Sequence, residues 1–194
     1  MKKTFIFMFL IFAAVIVLGC SVKIWYEPTN LIFSINEFPD NWSMIRSSEL
    51  NASTEVSSKA IANGWTNGYA QKFASSKLFI DYMISFYDNS VYPKTTNVIP
   101  NPEEIEFGSM LTSLPPTNVT VREIPINKIG DDSISYEVNA TYDYAEDFGI
   151  YFYFIEFAKG NVHEMLVMVS YGNSSDLNQS LLYDLAVKAE AKIK

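Results

Sequence analysis

Cysteine and histidine are almost missing from this chain: Cys20 and His163 are the only ones among 194 residues. A lone cysteine excludes any disulfide within the chain, so stability must come from packing. It also excludes a catalytic Cys/His pair if Cys20 is engaged elsewhere. Basic residues are short as well, with 14 Lys and Arg against 22 Asp and Glu and a net charge of −8. That balance argues against nucleic acid as a partner and against direct adhesion to anionic lipid head groups. There is no Gly-x-Ser-x-Gly elbow and no phosphate-cradling glycine loop. No catalytic residue, cofactor or metal site is expected on these grounds.

What is present begins at the amino terminus. Lys2 and Lys3 precede an almost unbroken apolar stretch, Thr4 to Leu18. Its length suits a signal-peptide h-region and falls short of the roughly 20 residues of a membrane span. It ends at Val17-Leu18-Gly19-Cys20, which resembles the lipobox of bacteria and archaea. The resemblance implies cleavage after Gly19 and a lipid on the Cys20 sulfur. Two or more chains on one residue anchor stably where a single chain is marginal. The alternative is an uncleaved amino-terminal anchor, and both place the remainder outside the cytoplasmic membrane. Residues 1–19 are therefore expected to be a signal peptide, 20–30 the lipidated cysteine and a tether, and 31–194 one domain. Removal of Lys2 and Lys3 leaves 12 basic against 22 acidic residues, a net charge of −10.

Six Asn-x-Ser/Thr sequons occur, at Asn41, Asn51, Asn118, Asn139, Asn173 and Asn178. They point to an N-glycosylated surface, against the plainer reading of an Asn-rich one. Lipobox and sequons together fit an archaeon better than a bacterium. Asn139 has a parity opposite to Tyr136, Val138 and Tyr142, so it is expected to face solvent.

Along the chain, Leu31 to Ile35 reads as a strand stopped by Pro39-Asp40-Asn41, and Ser53 to Ile61 as a short helix. Trp65, Tyr69 and Phe73 share a parity, and Leu78, Ile80, Tyr82, Ile84 and Phe86 alternate more cleanly. Asn101-Pro102-Glu103-Glu104 has the chemistry of a helix start, ahead of Ile105, Met110, Leu111 and Leu114. Val119 to Ile126 reads as a strand that Pro125 marks as an edge or a bulge. Ile134, Tyr136, Val138, Ala140 and Tyr142 alternate, Ile150 to Phe157 is aromatic on both faces, and Val162 to Tyr171 runs back after Gly160. Leu177, Leu181, Leu182, Leu185, Ala189 and Ile193 form one stripe of a closing helix near 175–192, capped by Ser174 or Ser175. The fold class expected is α+β: a curved antiparallel sheet of about six strands, with a carboxy-terminal meander and helices packed on it.

Gly64-Trp65-x-x-Gly68-Tyr69, Ile129-Gly130-Asp131-Asp132-Ser133 and Phe157-Ala158-Lys159-Gly160-Asn161, between a Pro-Asp-Asn-Trp turn and a Leu/Ala helix, resemble the PsbP-related lipoproteins of archaea and bacteria. The resemblance spans roughly residues 31–193 and implies a PsbP-like curved sheet with helices on its faces. It implies no catalytic residues.

Three further groupings carry weaker chemistry. His163-Glu164 begins like a zincin helix, but Val167 stands where the second His belongs, and the segment reads as strand. Asp143, Glu146 and Asp147, with Asp131 and Asp132, offer oxygens for calcium but lack a fixed ligand spacing, and solvated turn acids are the plainer reading. Trp65, Tyr69 and Phe73 form either an aromatic platform or part of the core, with core favoured. The expectation is a non-catalytic protein, lipid-anchored on the outer face of the cytoplasmic membrane, that binds an unknown protein partner or serves a membrane complex. The alternative is a small-ligand binder or accessory enzyme subunit with a pocket between sheet and helices.

Overall fold

Alternation of period two builds the body of the domain. The computed structural model describes residues 27–88, 116–142 and 149–194. Among these, seven strands form one sheet: β1 (Ser43–Glu49), β2 (Trp65–Ala74), β3 (Leu78–Tyr87), β4 (Asn118–Glu123), β5 (Asp132–Thr141), β6 (Gly149–Lys159) and β7 (Val162–Tyr171). Their order is β1-β2-β3-β7-β6-β5-β4, and every pairing is antiparallel. Among the described residues two α-helices accompany the sheet, α1 (Ser58–Ala62) and α2 (Gln179–Lys192). The strand beyond the expected six is β1, an exposed polar edge whose sequence carries no apolar alternation. β4 is the other edge and ends at Glu123, two residues before Pro125, which cannot donate to a ladder.

The sheet buries side chains on both faces. On one face Ile80, Tyr82 and Ile84 of β3, Leu166 and Met168 of β7 and Tyr153, Ile155 and Phe157 of β6 meet Leu182, Leu185 and Ala189 of α2 and Ile193 just past its end. Each fully buried Leu or Ile there contributes roughly 1.5–3 kcal/mol of transfer free energy. On the other face Ile150, Val167, Val169 and Tyr142 form a second buried cluster, with Phe79, Phe152, Phe154 and Met165 packed on it. β6 supplies both clusters, as its two-sided aromatic sequence predicts. The even parity of β5 joins the second cluster: Tyr136 pairs with Phe154 and Val138 with Phe152.

That choice of face corrects the expectation for Asn139. It does lie opposite Tyr136 and Val138, but that side belongs to α2 and not to open water. Asn139 is half-buried, and its Oδ1 is shut from solvent without a hydrogen bond. Parity put Asn139 on the less buried side of β5, opposite Tyr136, Val138 and Ala140, and did not tell that this side is partly covered as well.

The leading segment is not a strand. Two 3-10 turns, Pro28–Asn30 and Ile35–Glu37, flank Leu31 and Phe33, which are fully buried. Side chains take the backbone groups that a ladder would have paired. Gln71, itself buried, accepts from Phe33 N–H at 2.7 Å and donates to Phe33 C=O at 3.0 Å. Lys192 Nζ donates to Ile32 C=O at 2.8 Å and sits 4.3 Å from the centre of the Phe33 ring. Ser34 and Glu37 close a capping box on the second turn.

Two other expectations change. A bulge between Trp65 and Asn67 pairs Trp65 with Tyr87, so Trp65 leaves the face that Tyr69 and Phe73 share. Phe73 is fully buried, stacked at 4.0 Å on Phe38, and no three-ring platform exists. α2 starts at Gln179 and is capped by Asn178, whose side chain accepts from Leu181 N–H at 2.9 Å, and not by Ser174 or Ser175. Ser174–Asp176 forms a separate 3-10 turn. Leu182 and Leu185 are the core leucines, while Leu181 is half-buried.

Two of the glycine motifs pack on each other. Gly130 has φ +63°, and an added Cβ would stand 2.4 Å from the Ala158 carbonyl oxygen. Only glycine fits so close an approach in that conformation. Asp131 beside it accepts from Gly160 N–H at 2.8 Å, joining the start of β5 to the β6–β7 turn.

Candidate functional site

A groove opens where β4 leaves the sheet. Past Glu123 the chain turns through Ile124 to Asn127, and this segment faces the first turn of α2 across a space of about 420 Å³. That volume lies within the roughly 300–1,000 Å³ of small-molecule sites. Ile124, Pro125 and Ile126 make an apolar wall, and Gln179, Ser180 and Tyr183 of α2 make the opposite one. Asn127 closes one end, and Tyr153 of β6 lies at the floor.

The groove is held in shape by an ionic hinge beside it. Glu137 of β5 accepts from Arg122 of β4 at 2.6 Å and from Gln179 of α2 at 2.5 Å, tying the edge strand to the helix. Ile124 N–H donates to Ser135 C=O at 2.8 Å, so the wall is pinned to β5 at its first residue. On the floor, Ser135 Oγ donates to Tyr153 Oη at 3.0 Å, which leaves the phenol proton for another acceptor. Burial, followed by the nearby Glu137 charge, raises the Tyr153 pKa against the lowering effect of Ser135, so the group is a neutral donor. No Asp, Glu, Lys, Arg or His side chain lines the groove.

Two other groups of ionisable residues lie away from it. Glu164 is fully buried on the α2 face, where Tyr82 Oη donates to its Oε2 at 2.9 Å, and Oε1 has no hydrogen bond. Burial pushes its pKa up to about 8, against the lowering effects of Tyr82 and Lys192. The same burial, with the carboxyl beside it, raises Tyr82 well above the usual phenol value. On the opposite face Glu156 accepts from Tyr136 Oη at 2.7 Å. His163 Nε2 stands 3.4 Å from Glu156 Oε2, near enough for an ion pair but without hydrogen-bond geometry.

The residues singled out from sequence are thus scattered. His163 and Glu164 sit on β7, as the strand reading requires, and point to opposite faces. Asp131 and Asp132 lie at the start of β5, whereas the chain leaves toward residue 143 from that strand's far end. Asp143, Glu146 and Asp147 lie outside the described residues, as do Gly19, Cys20 and the helix start at Asn101. Among the described residues no three His, Cys, Asp or Glu side chains gather as a metal site. Asn41, Asn51, Asn118, Asn173 and Asn178 are exposed, although the side chains of Asn51, Asn173 and Asn178 accept local backbone hydrogen bonds.

The groove itself was missed in the sequence because Val119 to Ile126 was read as one strand, although the apolar parity switches from Val119 and Val121 to Ile124 and Ile126. Pro125 was the available signal that the ladder stops. Glu164 was missed because His-Glu drew attention as a pair. Its parity with Val162, Leu166 and Met168 would have placed it inside.

No protein-family model matches the chain, and no curated protein matches it. Among solved structures, the chain is similar to the extracellular domain of PknH from Mycobacterium tuberculosis, with a TM-score of 0.55 and 8% identity, over 85% of this chain and 93% of that one. The likeness is one of fold. It supports the α+β class with an antiparallel sheet. Among the described residues, no helix is long and apolar enough to cross a membrane.

Proposed function

We propose that this protein is a lipid-tethered, extracytoplasmic binding domain that acts by recognition and not by catalysis. The observation that carries the reading is the groove between the β4–β5 connection and α2, where neutral polar groups converge over an apolar wall. A hydrolytic or proton-transfer site needs a group poised to exchange protons and a second to orient it. The groove offers amides, a hydroxyl and two phenols. Those groups fix the orientation of a ligand without activating it.

Anchoring supports the same reading. A lipid on Cys20 holds the domain at the membrane surface and raises its effective concentration toward neighbours there. Residues 20–30 form the tether. The extracellular PknH domain is a precedent for this sheet outside a cell. The PsbP-like kinship drawn from the glycine motifs belongs here too, and it fits an accessory role beside a membrane complex. Of the two forms of recognition, the groove favours a bound molecule seated between sheet and helix over a broad protein-docking face.

The test is crosslinked isolation from native membranes with wild type and with Asn127→Ala, an exposed position whose loss leaves the core intact. A component enriched with wild type and lost with the variant supports the reading. Equal recovery with both contradicts it.

A further inference from the structure

The chemistry of the groove restricts what fits. The geometry points to a neutral, hydroxyl-rich ligand, a short saccharide, as the class of molecule this groove takes. The inference rests on the groove being the binding site and names its ligand.

Charge decides first. An anionic ligand, whether phosphate, carboxylate or sulfate, needs Lys or Arg within the cleft. Here the nearest arginine, Arg122, is already held by Glu137 at 2.6 Å. A cationic ligand needs an acid or an open aromatic cage, and Glu137 is spent on Arg122 and Gln179. Taking either charge out of water with no partner costs several kcal/mol. A neutral ligand avoids that cost.

Backbone supply decides next. An extended peptide binds by adding a strand, and its affinity comes from main-chain hydrogen bonds at a free edge. The first two residues of the strand-side wall offer no N–H for this. Ile124 N–H is used on Ser135 C=O, and Pro125 has none to give. The side chains that line the groove supply the Asn127 amide, the Ser180 hydroxyl and the Tyr183 phenol, above the buried Tyr153.

Those groups match vicinal hydroxyls. A carboxamide donates and accepts from adjacent atoms, and a hydroxyl does both from one atom. A sugar's neighbouring hydroxyl groups need the same mixture. A tyrosine ring has an apolar body that covers the C–H face of a pyranose while its hydroxyl stays polar. Ile124 and Ile126 give the apolar wall such a face also needs. Both isoleucines pack on the main core, so the wall is rigid before a ligand arrives.

The test is binding of the full-length, detergent-purified protein to an array of uncharged oligosaccharides, followed by amide chemical-shift mapping with the best hit. A neutral alanine-serine pentapeptide and an acidic saccharide serve as comparison probes. The inference expects saturable shifts at residues 124–127 and 179–183 with an uncharged saccharide and weaker ones with the acidic form. Asn127→Ala and Tyr183→Ala should each weaken binding about tenfold or more, while Tyr183→Phe, which keeps the ring, loses less. Failure of every uncharged saccharide to shift the groove overturns the ligand class. Groove shifts with the pentapeptide alone also overturn it, yet leave the groove as a binding site. Saccharide binding that maps outside residues 124–127 and 179–183 overturns both.

Discussion

Replacing Glu164 with Gln should make the protein more stable in alkali and abolish most of its pH dependence between about pH 5 and 8. Glu164 is fully buried, and burial holds its folded pKa at about 8 where an ordinary glutamate sits at 4.5. The native state therefore keeps a proton that the unfolded chain has already lost. With fewer protons bound in the unfolded state, stability falls as pH rises, by about 1.4 kcal/mol per unit across that window. The stability is whole below the unfolded pKa and is lost as pH climbs through the folded one. The cumulative loss is on the order of 5 kcal/mol, a large share of the 5–15 kcal/mol that holds a typical domain. Asp81, also raised by burial, adds a smaller effect at the acidic end. Gln keeps the shape, carries no charge and can still accept from Tyr82 Oη through its amide oxygen. Urea unfolding of both proteins from pH 5 to 9 should show near-equal stability at pH 5, within about 1 kcal/mol, and a clear advantage for the variant at pH 8.5. Parallel pH profiles, or a wild type that gains stability from pH 5 to 8, would refute the reasoning.

Leu185→Ala, at a fully buried α2 position, should cost about 2–5 kcal/mol in equilibrium unfolding, and the half-buried Leu181→Ala distinctly less. Gly130→Ala combines a left-handed backbone with a Cβ placed 2.4 Å from the Ala158 oxygen, so it should lower stability by more than the 1–2 kcal/mol of the conformation alone, read as a drop in Tm. Cys20→Ser should release the protein from membranes or leave an uncleaved precursor, and unchanged mass and partition would remove the lipid assignment.

Where each residue's burial depends on its neighbours in sequence, the fold was legible. β3, β5 and β7 show their alternation, β6 shows two apolar faces, and α2 shows its stripe. What escaped depends on residues far apart. Leu31 to Ile35 is apolar enough for a strand, yet its backbone is claimed by Gln71, Tyr82 and Lys192. β1 is a polar edge whose only support is pairing to β2, which composition does not display. Trp65 follows the parity of Tyr69 until one bulged residue reverses it. For Asn139, alternation separated the faces of β5, but the side covered by α2 is set by chain order across the whole sheet. The groove had the same origin, since its two walls are more than fifty residues apart and are joined by Glu137 and a shared core.

Hydrogen exchange at the groove, compared between native membranes and the isolated protein, tests the central claim most directly. If the domain works by holding a molecule there, peptides covering residues 122–128 and 177–184 should exchange more slowly in the native membrane than in the purified protein. The exposed edge β1 should be unchanged. Equal exchange at both groove segments in the two settings, with protection appearing at residues 43–49 instead, would contradict the account.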